Sequence, residues 1–198
     1  MIRPGIQVSL SLSILAFLFL VAAPPGAQAG HVNFFLGSKV LDEKDWAPWD
    51  THTEAGVEAS WGGEDWPVLI ATDLFGSTKS KDVLGVDTQA TTGELGLGVR
   101  KIWNTGSAKR VHPYIGGGVS FISAKLEATS GGNKVSDDDN GVGAWLGGGI
   151  FWRLGSRFNL GMSLRGSSAN VDLYGVSVDA GGGHFGLSLG WGWPAAGR

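Results

Sequence analysis

The sequence has no cysteine and no large excess of charge of either sign. The absence of cysteine excludes a small disulfide-built domain and a thiolate metal site. The formal net charge is -3 and charged residues make up only 17% of the chain, which excludes a polybasic nucleic-acid binder. A length of 198 residues is that of one domain.

Long apolar runs are also missing, apart from one near the N-terminus. There, Arg3 precedes an apolar run at residues 8–23, and Ala27-Gln28-Ala29 follows. The run contains three serines and is shorter than the ~20 apolar residues of a spanning helix, which argues against a membrane anchor. We therefore predict a cleaved secretory signal peptide at residues 1–29 and one domain at residues 30–198.

Alternation of apolar and small or polar residues dominates the rest of the chain. In residues 185–193 every odd position is a large apolar residue and every even position is Gly or Ser. The same period of two recurs in seven more segments, and the amphipathic-helix period does not occur. Each segment is predicted to be a strand with one apolar face, and the charged residues of each segment mark the opposite face.

The connections between these strands are alternately short and long. Short ones are predicted at residues 62–65, 104–108 and 154–156, and long ones at residues 42–50, 76–88, 125–140 and 169–178. The alternation of the seventh strand slips after Gly166, which we interpret as a bulge or the end of the strand. Short periplasmic turns and long external loops are typical of outer-membrane barrels. The predicted fold is all-β, an eight-stranded antiparallel up-and-down transmembrane β-barrel.

The polar face of this barrel is predicted to line a narrow lumen. Many of the 34 glycines lie on it, and its few large residues are expected to be Tyr114, Trp145 and Phe151. Its acids and bases balance: Glu54, Glu58, Asp73 and Glu94 against Lys39, Arg100, Arg153 and Arg165. An ion-selective pore needs an unbalanced ring of charge, whereas buried charges need partners. We therefore predict a paired charge network that plugs the lumen.

Most of the nine tryptophans lie near the predicted short turns or at the end of the last strand. These are Trp61, Trp66, Trp103, Trp152, Trp191 and Trp193. This placement is typical of an interfacial aromatic girdle. The alternative is a soluble barrel with the two faces reversed, in which the apolar residues would line the interior.

The sequence offers little for catalysis or cofactor binding, and we expect neither. The four histidines are far apart and form no zinc motif. His184 and Ser188 come nearest to a barrel hydrolase pair, but both are predicted to face the lumen, which lipid cannot reach. The acidic run Asp137, Asp138 and Asp139 lacks the spacing of a calcium loop. With Trp46 and Trp49 of the first loop, it forms the predicted interaction surface.

Several segments resemble the bacterial outer-membrane protein β-barrel domain family. They are residues 33–37, 41–46, 66–68, 98–103 and 113–118, together with the glycine-aromatic last strand, and the architecture is similar to that of OmpA/OmpX-type barrels. The resemblance implies an outer-membrane location, lipid and lipopolysaccharide as neighbours, and insertion by the barrel-insertion machinery. A terminal aromatic serves that family as the insertion signal, and here Trp193 is followed by Pro-Ala-Ala-Gly-Arg.

The expected function is that of a monomeric integral outer-membrane protein. Its role would be structural, or surface interaction through the external loops, with no nucleic acid as partner. The alternative is a small channel or transport protein for ions or hydrophobic molecules.

Overall fold

The computed structural model describes residues 29–63, 66–83, 85–105 and 110–193. Residues 1–28 of the predicted signal peptide (1–29) and the extension after Trp193 lie outside these residues. The elements are the strands β1 (Ala29–Val40), β2 (Thr51–Gly62), β3 (Leu69–Val83), β4 (Val86–Ile102), β5 (Val111–Ser130), β6 (Asn133–Leu154), β7 (Phe158–Ser168), β8 (Asn170–Leu173), β9 (Val176–Asp179) and β10 (Gly182–Trp193), and the helix α1 (Glu43–Trp46).

Eight of the strands form a closed antiparallel barrel. Strands β1 to β7 pair with their neighbours in chain order, β7 pairs with β10, and β10 pairs with β1 to close the cylinder. Strands β8 and β9 form a separate two-stranded sheet. The predicted eight-stranded up-and-down barrel is confirmed.

The two ends of the barrel differ. At one end, which we call the turn end, short connections join β2 to β3, β4 to β5 and β6 to β7. Strand β1 begins and β10 ends there. At the other, the hairpin end, lie α1, the tips of the β3–β4 and β5–β6 hairpins, and the β8–β9 sheet. The connections predicted to be short therefore lie at one end of the barrel, and those predicted to be long lie at the other.

The outer surface of the barrel carries an apolar belt, while charged side chains point inward. Because successive residues of a strand face opposite sides, one face of each strand meets the surroundings and the other the lumen. The exposed apolar side chains of this belt include Phe34, Leu36, Ile70, Leu97, Val99, Ile115, Val119, Phe121, Val142, Leu146, Leu160, Met162, Leu164, Phe185, Leu187 and Leu189. The apolar face predicted for each strand is thus the face that points outward in the barrel.

Two predicted long loops are instead strands. Residues 76–88 and 125–140 lie almost entirely in the β3–β4 and β5–β6 hairpins, which pair without interruption up to Val83↔Val86 and Ser130↔Asn133. These segments are polar on both faces, so hydrophobic alternation could not reveal them. Backbone pairing between the two strands of each hairpin extends the sheet through these segments.

The fourth predicted loop also contains regular structure. Residues 169–178 include β8 and most of β9, which pair from Asn170↔Asp179 to Leu173↔Val176. The interpretation of Gly166 as a bulge is wrong, since β7 pairs with β6 in unbroken register to Ala144↔Ser168. The strand ends two residues after Gly166.

The described ranges contain no helix that is long and apolar enough to cross a membrane.

Glycines on the inner face make room for large side chains. A β-carbon at Gly96 would lie 2.7 Å from Arg165 Nη2, and one at Gly186 would lie 2.6 Å from Phe35 Cζ. Either contact is too close for carbon, so a larger residue would displace the guanidinium or the ring. Glycine on one strand therefore permits bulk on another in the narrow lumen.

We expect Leu187→Arg to lower the free energy of unfolding by about 2–4 kcal/mol, because a cation on the lipid face near the bilayer midplane is costly. Leu187 lies mid-way along β10 and pairs with Leu36 and Met162 on the outer face. Urea titration in phospholipid vesicles measures the loss. Thr129→Arg, an exposed position near the β5–β6 tip, is the control and should cost less than about 0.5 kcal/mol. Equal losses would contradict the assignment of the outer face.

Candidate functional site

The eight predicted lumen charges all point inward and are buried. Their side chains come from six strands, because each occupies an inward position of its own strand: Lys39 on β1, Glu54 and Glu58 on β2, Asp73 on β3, Glu94 and Arg100 on β4, Arg153 on β6 and Arg165 on β7. A barrel of eight strands is narrow enough for such side chains to meet across it. Six of these eight form ion pairs with one another, and the seventh, Glu54, contacts the His184 imidazole.

Asp73 is the centre of the network. Its carboxylate accepts two hydrogen bonds of 2.9 Å from Arg100 Nη2 and one of 2.7 Å from Arg165 Nη1. Arg165 also donates to Glu94, and Arg100 lies 3.8 Å from Glu58. Two guanidinium groups therefore link three carboxylates from β2, β3 and β4.

His184, which was predicted only to face the lumen, is a member of the network. Its Nδ1 lies 2.9 Å from both carboxylate oxygens of Glu54, and its Nε2 lies 3.5 Å from Glu94. Lys39 completes this side, 3.7 Å from Glu94, and donates to Thr92 and to the Ala180 carbonyl. The sequence signal was its inward position on β10, directly beside Lys39 in the closed barrel.

Ser167, His184 and Glu54 have the connectivity of a hydrolytic triad. Ser167 Oγ lies 3.0 Å from His184 Nε2, whereas Ser188 makes no hydrogen bond to that histidine. Ser167 Oγ also lies 2.8 Å from Glu94 Oε2. A hydroxyl has one proton, and the second carboxylate competes for it with the imidazole. This geometry fits a buried polar network better than an activated nucleophile.

Aromatic rings fill the space around the charges. The Arg165 guanidinium lies 4.2 Å from the centre of the Trp145 ring and 5.1 Å from that of Phe75, and Arg100 lies 5.2 Å from the ring of Tyr114. The predicted lumen residues Tyr114, Trp145 and Phe151 are inside, together with Phe35 and Phe75, which the sequence analysis did not name.

A pocket of about 10 Å³ lies beside the network, lined by residues including Glu58, Asp73 and Arg100. That volume is no more than one water molecule needs.

Arg153 does not join the other seven charges. Its nitrogens contact Asn159 Oδ1 at 3.4 Å and His31 Nδ1 at 3.1 Å, near the turn end. Among the described residues no carboxylate forms an ion pair with it. The prediction that Arg153 belongs to the charge-paired network is therefore wrong. His184 contacts the network carboxylates Glu54 and Glu94 instead.

An apolar cluster, here called the cap, lies at the hairpin end above the network. Its buried members come from the first loop, β4, β5 and the β8–β9 region: Leu41, Trp46, Ala90, Ile122, Ala124, Ala169, Val171, Leu173 and Ala180. Trp46 is 4% exposed, and its Nε1 donates a 2.7 Å hydrogen bond to the Asp179 carbonyl. Trp49 is half-buried against the same cluster. The prediction of Trp46 as an exposed interaction residue is wrong, because the ring is part of the cap.

The acidic run attaches the β8–β9 sheet to β6. Asp139 accepts a 2.7 Å hydrogen bond from the Asp172 N–H, and Asp137 accepts one from the Tyr174 N–H. The two carboxylates thus bond to backbone groups of β8 and of the turn after it. Asp138 is exposed. In the described part of the chain no group of three or more His, Asp or Glu side chains is arranged to hold a metal ion.

The six tryptophans of the predicted girdle lie at or near the turn end. Trp66, Trp103, Trp152 and Trp191 are exposed. Trp61 is half-buried beside Val57 and Ala59 on the outer face, and Trp193 is half-buried with its ring against Gly30. Four of the six are therefore accessible from outside the barrel.

No protein-family model and no curated protein matches this sequence. Several solved structures match its fold. Ail, the attachment invasion locus protein of Yersinia pestis, has a TM-score of 0.58 at 12% identity, over 83% of this chain and 98% of the Ail chain, in a crystal structure with the heparin analogue sucrose octasulfate. The outer membrane protein OprG from Pseudomonas aeruginosa has a TM-score of 0.52 at 16% identity, over 85% of this chain and 97% of that chain.

Neisserial surface protein A has a TM-score of 0.51 at 13% identity, over 83% of this chain and 93% of its own. All three are small outer-membrane barrels of eight strands. The chain therefore has the fold of these barrels, in agreement with the resemblance to OmpA/OmpX-type architecture.

We expect Arg165→Met to lower the free energy of unfolding by about 3–5 kcal/mol, because it removes the cation that the buried carboxylates Asp73 and Glu94 share. Denaturant titration of the protein in detergent measures the loss. Arg157→Met, in the exposed β6–β7 turn, is the control and should change stability by less than about 0.5 kcal/mol. Adding Glu94→Gln to Arg165→Met should recover part of the loss. If Arg165→Met were as stable as the wild type, the network would contribute nothing to the free energy of unfolding.

We expect Trp46→Ala to loosen the cap without opening the barrel, since the ring holds the cap together and bonds to Asp179, while the barrel strands keep their backbone pairing. Limited proteolysis should cleave residues 42–50 and 169–181 at least about tenfold faster, as expected when a local opening free energy falls by more than about 1.4 kcal/mol. Lys44→Ala, exposed in the same helix, should leave the cleavage rate unchanged. Equal cleavage of the two variants would contradict the packing role of Trp46.

Proposed function

We propose that this chain is an integral outer-membrane β-barrel protein with a closed lumen, whose role is structural or lies in surface interactions of its hairpin end. The observation that carries the proposal is the polarity of the barrel, with an apolar belt outside and charges inside. Leu36, Leu164 and Leu187 are 66%, 65% and 59% exposed. A soluble barrel would expose charges and bury these residues, whereas lipid accounts for both faces.

A closed lumen is supported at two levels. The network around Asp73 fills the middle of the barrel, and the cap covers the hairpin end. Each ion of the network except Lys39 and Glu58 lies within 3.0 Å of a group of opposite charge or of an imidazole nitrogen. An ion crossing the barrel would have to displace these partners and then pass an apolar cluster. These features favour a plugged barrel over a channel.

The hairpin end supports a role at the cell surface. Strands β3 to β6 extend beyond the apolar belt, and their outward positions there are polar, as at Thr91, Gln89, Lys125 and Asp138. Polar outward residues indicate contact with water rather than lipid. In an outer membrane this end would face outward, since short turns lie on the periplasmic side.

Several further features of the proposal concern location and partners. Export by a cleaved signal peptide at residues 1–29, insertion by the barrel machinery and contact with lipopolysaccharide follow from the outer-membrane assignment. The girdle tryptophans would then lie at the periplasmic interface. A monomer is proposed, because β1 and β10 close the barrel within one chain.

Planar-bilayer recording of the purified protein tests the closed lumen. We expect no steady conductance from the wild type, because the network and the cap both block the path. A heat-dependent shift in gel mobility of the same sample is the control that the barrel is folded. Glu94→Ala, which removes one network carboxylate below the cap, should also remain closed. Steady conductance of the folded wild type would contradict the plug and favour the channel alternative.

A further inference from the structure

A second group of polar side chains lies in the lumen at the turn end, apart from the ion network. It consists of His31 on β1, His112 on β5, Arg153 on β6 and Asn159 on β7, and we call it the donor cluster. His112, Arg153 and Asn159 are buried, with 3%, 8% and 1% of their surface exposed. The cluster lies at the turn-end termini of these four strands. The ion network separates it from the cap.

Arg153 supplies donors and finds few acceptors. Its Nε donates to Asn159 Oδ1 at 3.4 Å, and its Nη2 lies 3.1 Å from His31 Nδ1. Because a guanidinium can only donate, His31 Nδ1 is the acceptor and its ring proton lies on Nε2. The other N–H groups of Arg153 have no acceptor among the described residues. A buried cation without a counter-ion is costly.

The neighbouring side chains do not provide the missing acceptors. Asn159 Oδ1 already accepts from Arg153, and Asn159 Nδ2 donates to Asn33 Oδ1 at 3.2 Å. Neither ring nitrogen of buried His112 has a partner. At least one of them carries a proton, so His112 adds another donor.

Packing holds these donors in place. The His112 ring stacks on Phe151 with 4.7 Å between centroids and a 16° angle, and His31 contacts the same ring at 5.1 Å. A β-carbon at Gly192 would lie 2.8 Å from both Arg153 Nη2 and His31 Nδ1. Only glycine leaves room for both groups, so the bare backbone of β10 permits the arrangement.

We propose that the donor cluster binds a small oxyanion of the phosphate class, which enters at the turn end. An oxyanion supplies both the negative charge that Arg153 lacks and several acceptors for the imidazole and guanidinium N–H groups. A metal cation does not fit, because Arg153 would repel it and its N–H groups offer no lone pair. The ion network above blocks entry from the hairpin end. This proposal holds for either orientation of the barrel in a membrane.

Titration of the purified protein in detergent micelles with inorganic phosphate tests the site, with the imidazole NMR signals of His31 and His112 as the readout. We expect saturable shifts of both signals. Sodium chloride at the same ionic strength should not reproduce them. The variants His31→Gln and His112→Gln assign the two signals.

Arg153→Met should weaken phosphate binding by about tenfold or more, the loss expected for a charge-assisted hydrogen-bonding group. Arg153→Lys keeps the positive charge but loses the paired N–H groups of the guanidinium. Its affinity for phosphate should therefore lie between those of the wild type and Arg153→Met. Arg157→Met, an exposed arginine at the same end, should bind like the wild type. In phosphate-free buffer Arg153→Met should be at least as stable as the wild type, since it removes an uncompensated buried charge.

Three results would overturn the proposal: no shift with phosphate, equal shifts with chloride, or unchanged binding by folded Arg153→Met. A large loss of stability of Arg153→Met without phosphate would also overturn it, since the protein itself would then be supplying the counter-ion. None of these results bears on the closed lumen, which the conductance measurement tests separately.

Discussion

The confinement of charge in a narrow lumen is the constraint on which the rest of this structure depends. Because the outward positions of the belt are mostly apolar, the charged residues are confined to the interior, where most of them find a partner within the chain. Asp73 meets this need by accepting from Arg100 on the next strand and from Arg165 across the barrel. The same contacts connect strands that are far apart in the sheet, so neutralising the charge also fixes the barrel's cross-section.

The two ends of the lumen differ in their chemistry. At the hairpin end the cap buries Trp46 among aliphatic residues, and the Asp137 and Asp139 carboxylates attach the β8–β9 sheet that covers it. At the turn end the side chains are donors, and Arg153 has no carboxylate partner among the described residues. The interior is thus apolar, then ionic, then donor-rich along its length.

Much of the barrel could be predicted from period two, because lipid outside and charge inside impose the same alternation on every strand. That signal disappears where both faces are polar, which is why the extensions of β3 to β6 were predicted as loops. Trp46 lies beside Glu43, Lys44 and Asp45, so the local sequence indicates exposure, and its burial depends on β8 and β9 far along the chain. Likewise a balance of charges cannot tell which base meets which acid, and His184 rather than Arg153 pairs with the carboxylates.

The central claim is that the apolar face looks outward into a membrane and the charges look inward. Separating the membranes of expressing cells and comparing the protein's gel mobility with and without boiling tests it most directly. The account predicts enrichment in the outer membrane and a heat-dependent shift, as expected for a closed barrel that resists detergent. A soluble periplasmic protein without a shift would contradict it, and would mean that Leu187 and Leu189 line the inside of a differently folded chain.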